Sequence, residues 1–146
     1  MSVGAVARLL GGKRVLHKDV RSEADLISAV REGLPSAALD SVFEVFSAMV
    51  GIQTDLYLAV GKARTLQRKR AEKTVLSADE SDRLARLARL LVRAQQAFDD
   101  REKAHYWMAA PNRALGGERP LALLDSDTGA LAVERLLGRI EHGIFS

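Results

Sequence analysis

The stretch SADESDRLARLARLLVRAQQAF, residues 77–98, decides the fold of this chain. It opens with a capping box, in which the hydroxyl of Ser77 and the carboxylate of Glu80 each accept a hydrogen bond from a backbone N–H at the helix start. Five apolar residues then share one helical face: Leu84, Leu87, Ala88, Leu91 and Phe98. Because residues three and four apart lie on the same side of an α-helix, the stretch predicts the longest helix of the molecule, with that face in a core.

Cap and period signals on either side of this helix predict six more. They cover residues 22–33, 36–51, 54–60, 64–72, 99–110 and 126–142. No run of alternating β-branched residues favours a strand. We therefore expect an all-α fold, with residues 112–120 as a loop and residues 1–21 as a mobile N-terminal arm. The alternative for the arm is one or two amphipathic turns, in which Val3, Val6, Leu9 and Leu10 share a face.

Composition excludes several classes of protein. The chain has 146 residues, of which 47% are apolar and 28% charged, and its net charge is +3. That length suits one domain, or two small ones that share a core, rather than a disordered chain. The absence of cysteine excludes disulfides and thiol chemistry and fits a reducing compartment. The longest uncharged runs, such as residues 104–111, are too short to span a bilayer, so we expect a cytoplasmic protein with no membrane contact.

A cationic segment lies between Lys62 and Lys73, with six Lys and Arg residues against one Glu. Its charge is +5 in a chain whose total is +3. A short helix, a turn that contains Gly61 and a cationic second helix form the pattern of a helix-turn-helix, whose second helix enters the major groove of DNA. Four residues are the natural readers of base edges: Thr65, Gln67, Arg68 and Arg70. The alternative is a solvated cationic face without a ligand.

Four arginines of the long helix line the face opposite its leucines: Arg83, Arg86, Arg89 and Arg93. They either contact phosphate or pair with acidic residues near the start of the same helix. Those acidic residues are Asp79, Glu80 and Asp82. Local pairing is the more common role for such a face, so we expect local ion pairs.

The sequence offers no constellation for catalysis or for a metal. Glu102 and His105 have the E-x-x-H spacing of a di-iron bundle, but such a site needs two copies and two further Glu. Neither these residues nor His17 and His142 have a nucleophile at local spacing. We therefore predict no catalytic residue, metal or cofactor, and we do not expect an enzyme.

Two apolar features lie near the C-terminus. Trp107 is the only tryptophan, and it either packs in the core or anchors an interface. The chain ends in Ile144-Phe145-Ser146, an apolar end that either folds back on the core or inserts into a partner.

The C-terminal third also carries a family pattern. Residues 107–124 read WMAAPNRALGGERPLALL and are followed by Gly129, Val133, Leu137 and by RIEHGIFS at residues 139–146. This pattern resembles the C-terminal domain of Xre-type antitoxins that are paired with RES-domain toxins, a group related to MbcA and ParS. The stretches RTLQR at residues 64–68 and LSADESDRL at residues 76–84 resemble the same family.

The resemblance implies the antitoxin of a type II toxin–antitoxin system. Such an antitoxin represses its own operon through a helix-turn-helix and inhibits a RES-domain toxin by covering its active site. The family's toxins consume NAD or use it to transfer ADP-ribose. The chain would then divide into a DNA-binding and dimerisation domain at residues 22–98 and a toxin-binding domain at residues 99–146. A stand-alone helix-turn-helix transcription regulator is the alternative.

Carried over by position, the resemblance assigns two sets of residues. The set for operator DNA is Lys62, Arg64, Thr65, Gln67, Arg68, Lys69 and Arg70. The set for the toxin is Trp107, Asn112, Arg113, Leu115, Arg139, Glu141, His142, Ile144, Phe145 and Ser146. The turn departs from the family pattern, because Lys62 directly follows Gly61 and the second helix comes early. A shortened turn would rotate that helix by roughly 100°.

A DNA-binding antitoxin is also expected to be a homodimer within a larger toxin–antitoxin complex, because two half-sites multiply the affinity of one module. The apolar residues Phe43, Phe46 and Met49 are either the surface of that dimer or part of the core.

Overall fold

The computed structural model describes residues 2–143 and shows an all-α fold there. Within this range the α-helices are α1 (Val3–Leu9), α2 (Gly12–Leu16), α3 (Glu23–Glu32), α4 (Ser36–Glu44), α5 (Gln53–Val60), α6 (Ala63–Glu72), α7 (Ala78–Phe98), α8 (Arg101–Ala109) and α9 (Asp127–Glu141). Two short 3₁₀ helices, Arg113–Leu115 and Pro120–Asp125, lie between α8 and α9. None of these helices is long and apolar enough to cross a membrane.

Polar side chains at the helix starts determine where most of the predicted helices begin. The hydroxyls of Ser22 and Ser77 each accept a hydrogen bond of 3.1 Å from the third backbone N–H of the helix that follows, and both belong to complete capping boxes. Asp100 and Ser126 cap α8 and α9 in the same way. These caps confirm the predicted starts of α3, α7, α8 and α9.

The helix that we predicted to end near residue 51 is shorter, because α4 ends at Glu44. Beyond it the chain continues in tight turns, in which the Phe46 N–H donates to the Phe43 carbonyl and the Met49 N–H donates to the Phe46 carbonyl, both at 3.0 Å. These turns bring Phe46 into the core, where it is 1% exposed, and leave Phe43 and Met49 partly buried beside it. Phe46 is therefore core packing and is not available as a dimer surface.

The N-terminal segment is folded, which corrects the expectation of a mobile arm over residues 1–21. Helices α1 and α2 place Val6, Leu10 and Leu16 in the core. The turn between them needs glycine, because Gly11 has a φ of +108° and a Cβ there would lie 2.4 Å from a methyl group of Val15. Each helix has about two turns or fewer, so the apolar spacing of Val3, Val6, Leu9 and Leu10 is too short to decide between a helix and a mobile arm from sequence alone.

One continuous core joins the N-terminal and C-terminal parts of the chain, with α7 at its centre. Leu84, Leu87 and Leu91 of α7 are completely buried, which confirms the predicted apolar face. This helix packs against α1, α3, α4, α5, α8 and α9. The 3₁₀ helix Pro120–Asp125 packs against α5, α8 and α9. The regions before and after residue 98 therefore share a single core.

Candidate functional site

Helices α5 and α6 form a helix-turn-helix with a short turn. Gly61 ends α5, and its N–H donates to the Tyr57 carbonyl at 2.8 Å. Lys62 has an extended backbone and begins α6 without a side-chain cap. Only these two residues separate the helices, so the turn is short.

The exposed side of α6 carries most of the predicted DNA-contacting residues. Lys62, Arg64, Gln67 and Arg68 are exposed, and Thr65 is half-buried. The ion pairs of this helix are made by other residues, and the three exposed cations form none with any part of the chain that the structure describes. The structure thus brings these five residues together on one side of the molecule.

The start of α7 extends this basic surface. Arg83 is exposed and lines the same shallow depression, of about 360 Å³, as Lys62 and Thr65. It makes no ion pair within residues 2–143, although Asp79 and Glu80 also line the depression. The sequence places Arg83 on the arginine face of α7, because it does not show that the first turns of α7 lie beside α6.

The structure places two of the predicted DNA-contacting residues elsewhere. Lys69 Nζ lies 2.6 Å from Glu80 Oε1, and both side chains are largely buried. The guanidinium of Arg70 donates through Nε to Asp40 Oδ1 at 2.6 Å and through Nη1 to the Tyr57 hydroxyl at 2.5 Å. Lys69 and Arg70 therefore hold α6 against its neighbours and do not belong to the exposed basic surface.

Titration of these groups reflects the same contacts. Burial opposes the charge of Arg70, but the hydrogen bond and charge of Asp40, together with Tyr57, outweigh it and raise the pKa of Arg70. Burial likewise opposes the charge of Glu80, but the hydrogen bonds from Lys69 and Ser77 prevail and lower the pKa of Glu80. The Arg70 guanidinium and the Glu80 carboxylate are therefore both charged at neutral pH.

The arginine face of α7 pairs with other helices, which corrects the expected local pairing with Asp79, Glu80 and Asp82. Arg86 bonds Asp127 at the start of α9 at 2.5 Å and also donates to the Leu124 carbonyl. Arg89 lies 3.6 Å from Glu23 of α3. Arg93 bonds Glu134 and Glu141 of α9 at 3.1 and 2.9 Å. These pairs join α7 to α3 and α9 and leave Arg83 as the member of this face without an ion pair in the described part of the chain.

An apolar groove of about 580 Å³ opens beside Trp107 on α8. Phe98, Tyr106 and Pro111 line it, and Trp107 packs against Phe98 with ring centroids 5.6 Å apart. Tyr106 is 70% exposed, so most of its ring is accessible at the edge of the groove. Trp107 is half-buried, so it contributes to the core on one side and to the groove on the other.

The loop after this groove is compact. Asn112 caps the 3₁₀ helix Arg113–Leu115 through its side chain, and its backbone bonds both Glu118 and Gly117. The predicted toxin residue Arg113 is exposed, whereas Leu115 packs partly against the core. Arg119 then reaches across to Asp55 of α5 at 3.1 Å. The loop is thereby held in a fixed position beside the groove.

The last predicted toxin residues lie at the end of α9. Arg139 and His142 are exposed, and Glu141 bonds Arg93 of α7. The 3₁₀ helix Arg113–Leu115 packs against α9, so the loop and this helix contact each other. The prediction for Ile144, Phe145 and Ser146 lies outside the described residues.

His105 is a half-buried residue of α8 that contacts α7. Its Nε2 lies 2.9 Å from the amide nitrogen of Gln95, so the ring accepts a hydrogen bond there. Burial and the nearby charge of Arg101 lower the pKa of His105, while Glu102 opposes the shift. This environment keeps the imidazole neutral and gives it a packing role between α7 and α8.

Comparisons with known proteins place these surfaces in a family. Residues 56–89 match the antitoxin Xre-like helix-turn-helix domain, and residues 93–143 match the antitoxin Xre/MbcA/ParS C-terminal toxin-binding domain. The antitoxin Xre of Photorhabdus laumondii is 39% identical over 122 residues, which cover 83% of this chain and 81% of the relative. The chain belongs to the Xre antitoxin family.

Two further relatives extend the comparison. The antitoxin Xre of Yersinia enterocolitica is 36% identical over 129 residues, covering 78% of this chain and 87% of the relative. A Prs ADP-ribosylating antitoxin of Sphingobium sp. is 29% identical over 135 residues, covering 86% of this chain and 83% of the relative. The resemblance seen in the sequence is therefore confirmed, and the chain is the antitoxin of a toxin–antitoxin system with a helix-turn-helix domain.

The two family matches fall on the two surfaces described above. The helix-turn-helix match spans the end of α5, all of α6 and the first half of α7, and so includes Arg83. The toxin-binding match begins at Arg93 and includes the groove beside Trp107 and all described residues of α9. Sequence reasoning missed Tyr106, because only the structure shows how far its ring projects.

Proposed function

We propose that this antitoxin binds and inhibits a RES-domain toxin that consumes NAD, covers the active site of that toxin, and represses its own operon by binding DNA. The antitoxin itself carries no catalytic step. It acts as a homodimer within a larger toxin–antitoxin complex in the cytoplasm. The observation that carries the proposal is the exposed aromatic groove beside Trp107 within the toxin-binding region.

The chemistry of the groove supports toxin binding. Aromatic side chains dominate the binding energy of protein interfaces, because they bury a large area at a small cost in conformational entropy. Here Tyr106 and Trp107 provide that area, and Asn112 and Arg113 lie directly after them. We assign the toxin-contacting surface to this groove, to the loop after it and to the exposed residues Arg139 and His142.

The identity of the toxin rests on the resemblance and on one relative. The printed name of the Sphingobium relative joins an antitoxin with ADP-ribosylation. Transfer of ADP-ribose uses NAD, which agrees with a partner that consumes NAD.

The basic surface of α6 supports DNA binding. Arg64, Gln67 and Arg68 point away from the core, and Lys62 and Arg83 extend the positive charge on one side. Exposed Lys and Arg contact phosphates, while Gln and Arg read base edges in the major groove. A homodimer would place two such helices about 34–36 Å apart, one turn of DNA, and would protect a palindromic operator.

Co-purification with the product of the adjacent gene tests the toxin assignment. The purified product should consume NAD, and addition of the antitoxin should suppress that consumption. Tyr106→Ala should reduce the affinity for the toxin at least about tenfold, since it removes an exposed aromatic anchor without opening the core. Trp107→Ala should reduce it further, but it also removes packing against Phe98.

Arg68→Ala is the matched control, because this residue lies on the DNA-binding surface. It should leave NAD consumption fully suppressed and weaken only DNA binding. If Tyr106→Ala inhibits the toxin as well as the wild-type chain does, the groove is not the contact surface. If the adjacent product does not associate with the chain, a stand-alone regulator becomes the better account.

A further inference from the structure

Hydrophobic burial alone does not determine the orientation of α6. Leu66 is the one side chain of this helix that is completely buried. A single apolar contact holds a helix close to its neighbours, but it leaves the helix free to rotate about that contact. The direction in which the exposed residues point must therefore be set by other contacts.

Two polar contacts flank Leu66. On a helical wheel with 3.6 residues per turn, Lys69 and Arg70 lie on either side of Leu66, while Arg64 and Arg68 lie opposite it. Lys69 bonds Glu80 of α7 at 2.6 Å. Arg70 bonds Asp40 of α4 at 2.6 Å and the hydroxyl of Tyr57 at 2.5 Å.

The Arg70 contact is the more specific of the two. Its guanidinium uses two different nitrogens for two acceptors on different helices, and it lies 5.7 Å from the centre of the Phe43 ring. A planar guanidinium held at both ends and against a ring has one orientation, whereas an ammonium ion can rotate. Rotation of α6 would break all three contacts together.

We propose that Arg70, held by Asp40 and Tyr57, is a positioning residue that fixes the rotation of α6 and thereby aims Arg64 and Arg68 at DNA. This inference rests on the proposed DNA binding of the antitoxin. Arg70, a positive residue of the predicted recognition helix, then acts through contacts within the protein and does not bind DNA directly. Asp40, an acidic residue, becomes a requirement for binding a polyanion.

This requirement can be tested, because a role of Asp40 through its charge alone and a role in positioning α6 predict opposite effects on the affinity for DNA. If Asp40 had no role beyond its charge, Asp40→Ala would remove negative charge near DNA and tighten binding or leave it unchanged. If it positions α6 through Arg70, the same change weakens binding, and we expect about a tenfold loss. The probe is a duplex that spans the promoter region upstream of the antitoxin gene, titrated with the full chain.

Glu44→Ala is the matched control. Glu44 is an exposed acidic residue of the same helix α4 and makes no ion pair within the described chain. Its removal changes the net charge by the same amount and breaks none of the bonds that Arg70 makes to Asp40 and Tyr57, so binding should stay unchanged or become slightly tighter. Alanine favours helices, and Asp40 is more than half exposed, so neither change is expected to unfold α4.

Tyr57→Phe provides a second variant, because it removes only the hydroxyl and keeps the ring against Phe43. It should weaken binding about threefold. Equal affinities for Asp40→Ala and Glu44→Ala, with the wild-type chain binding the duplex, would overturn the positioning role alone. Failure of the wild-type chain to bind the duplex would instead refute the proposed DNA binding, and this inference with it.

Discussion

Gly129→Ala should destabilise the antitoxin, although alanine normally strengthens a helix. Gly129 lies in the first turn of α9, where its N–H donates to the Ser126 cap at 3.0 Å. A Cβ at this position would lie 1.9 Å from the carbonyl oxygen of Leu123 and 2.9 Å from its carbonyl carbon. Both are backbone atoms, so either α9 or the 3₁₀ helix Pro120–Asp125 must move by about 1.5 Å to restore an ordinary contact of about 3.5 Å.

The expected loss follows from two opposing effects. Overpacking against a rigid neighbour costs about 3 kcal/mol, the upper end of the usual range, because no flexible side chain can give way. Replacing glycine by alanine in a helix raises the free energy of unfolding by about 1 kcal/mol. The net loss is about 2 kcal/mol, which corresponds to a decrease in melting temperature of about 4–8 °C for a chain of this length.

Gly138→Ala in the same helix is the control. The nearest atom to a Cβ there is the terminal Nη2 of Arg93 at 3.3 Å, the end of a flexible side chain. This change should raise the free energy of unfolding by up to about 1 kcal/mol. Thermal melts and urea unfolding of the two variants would test the difference. If Gly129→Ala is as stable as the wild-type chain, α9 does not pack so closely against the backbone of Leu123 that a Cβ at position 129 is excluded.

Three further experiments test the electrostatics. Arg68→Ala should weaken DNA binding and reduce the slope of log K against log salt by about 0.9, as expected for one lost phosphate contact; an unchanged slope would assign this residue to base reading or to no contact. The lowered pKa of Glu80 means that its charge stabilises the fold above the unfolded pKa of about 4.3, and this stabilisation is lost as the pH falls through the folded pKa. The urea midpoint of Glu80→Gln should therefore depend less on pH in acid than that of the wild-type chain. The lowered pKa of His105 means that its neutral ring contributes fully to the free energy of unfolding above about pH 6.5 and contributes less as the pH falls below that value. An NMR titration should therefore find the ring neutral at pH 7. A ring that is protonated at pH 7 would contradict the packing role.

Much of the fold could be predicted because the chain marks its helix ends with polar caps. Ser22, Ser77, Asp100 and Ser126 are local signals, since each accepts a hydrogen bond from the backbone N–H only three residues later. Local signals are readable from sequence. The packing of residues 3–16 was not predicted, because its burial depends on contacts with α4 and α7 that are distant in the chain.

The candidate DNA surface was only partly predictable for the same reason. The sequence identified the cationic segment, but it did not distinguish Arg68, which is exposed, from Arg70, which bonds Asp40 across 30 residues. Periodicity gives the angle between the two side chains on the helix. It does not give the position of the acidic partner, which depends on how α4 and α6 pack.

The single core has a consequence for how this family acquires new partners. Leu121 and Leu124 are buried in the same cluster as Leu56 of α5, and Arg119 bonds Asp55. A hybrid gene could join the helix-turn-helix part of one relative to the C-terminal part of another. The buried residues of the two parts would then have to fit each other, in addition to the exposed surfaces. With the toxin contact proposed for the groove of α8, changes of toxin specificity should therefore accumulate as point substitutions around that groove, while the helices beneath it evolve together as one unit.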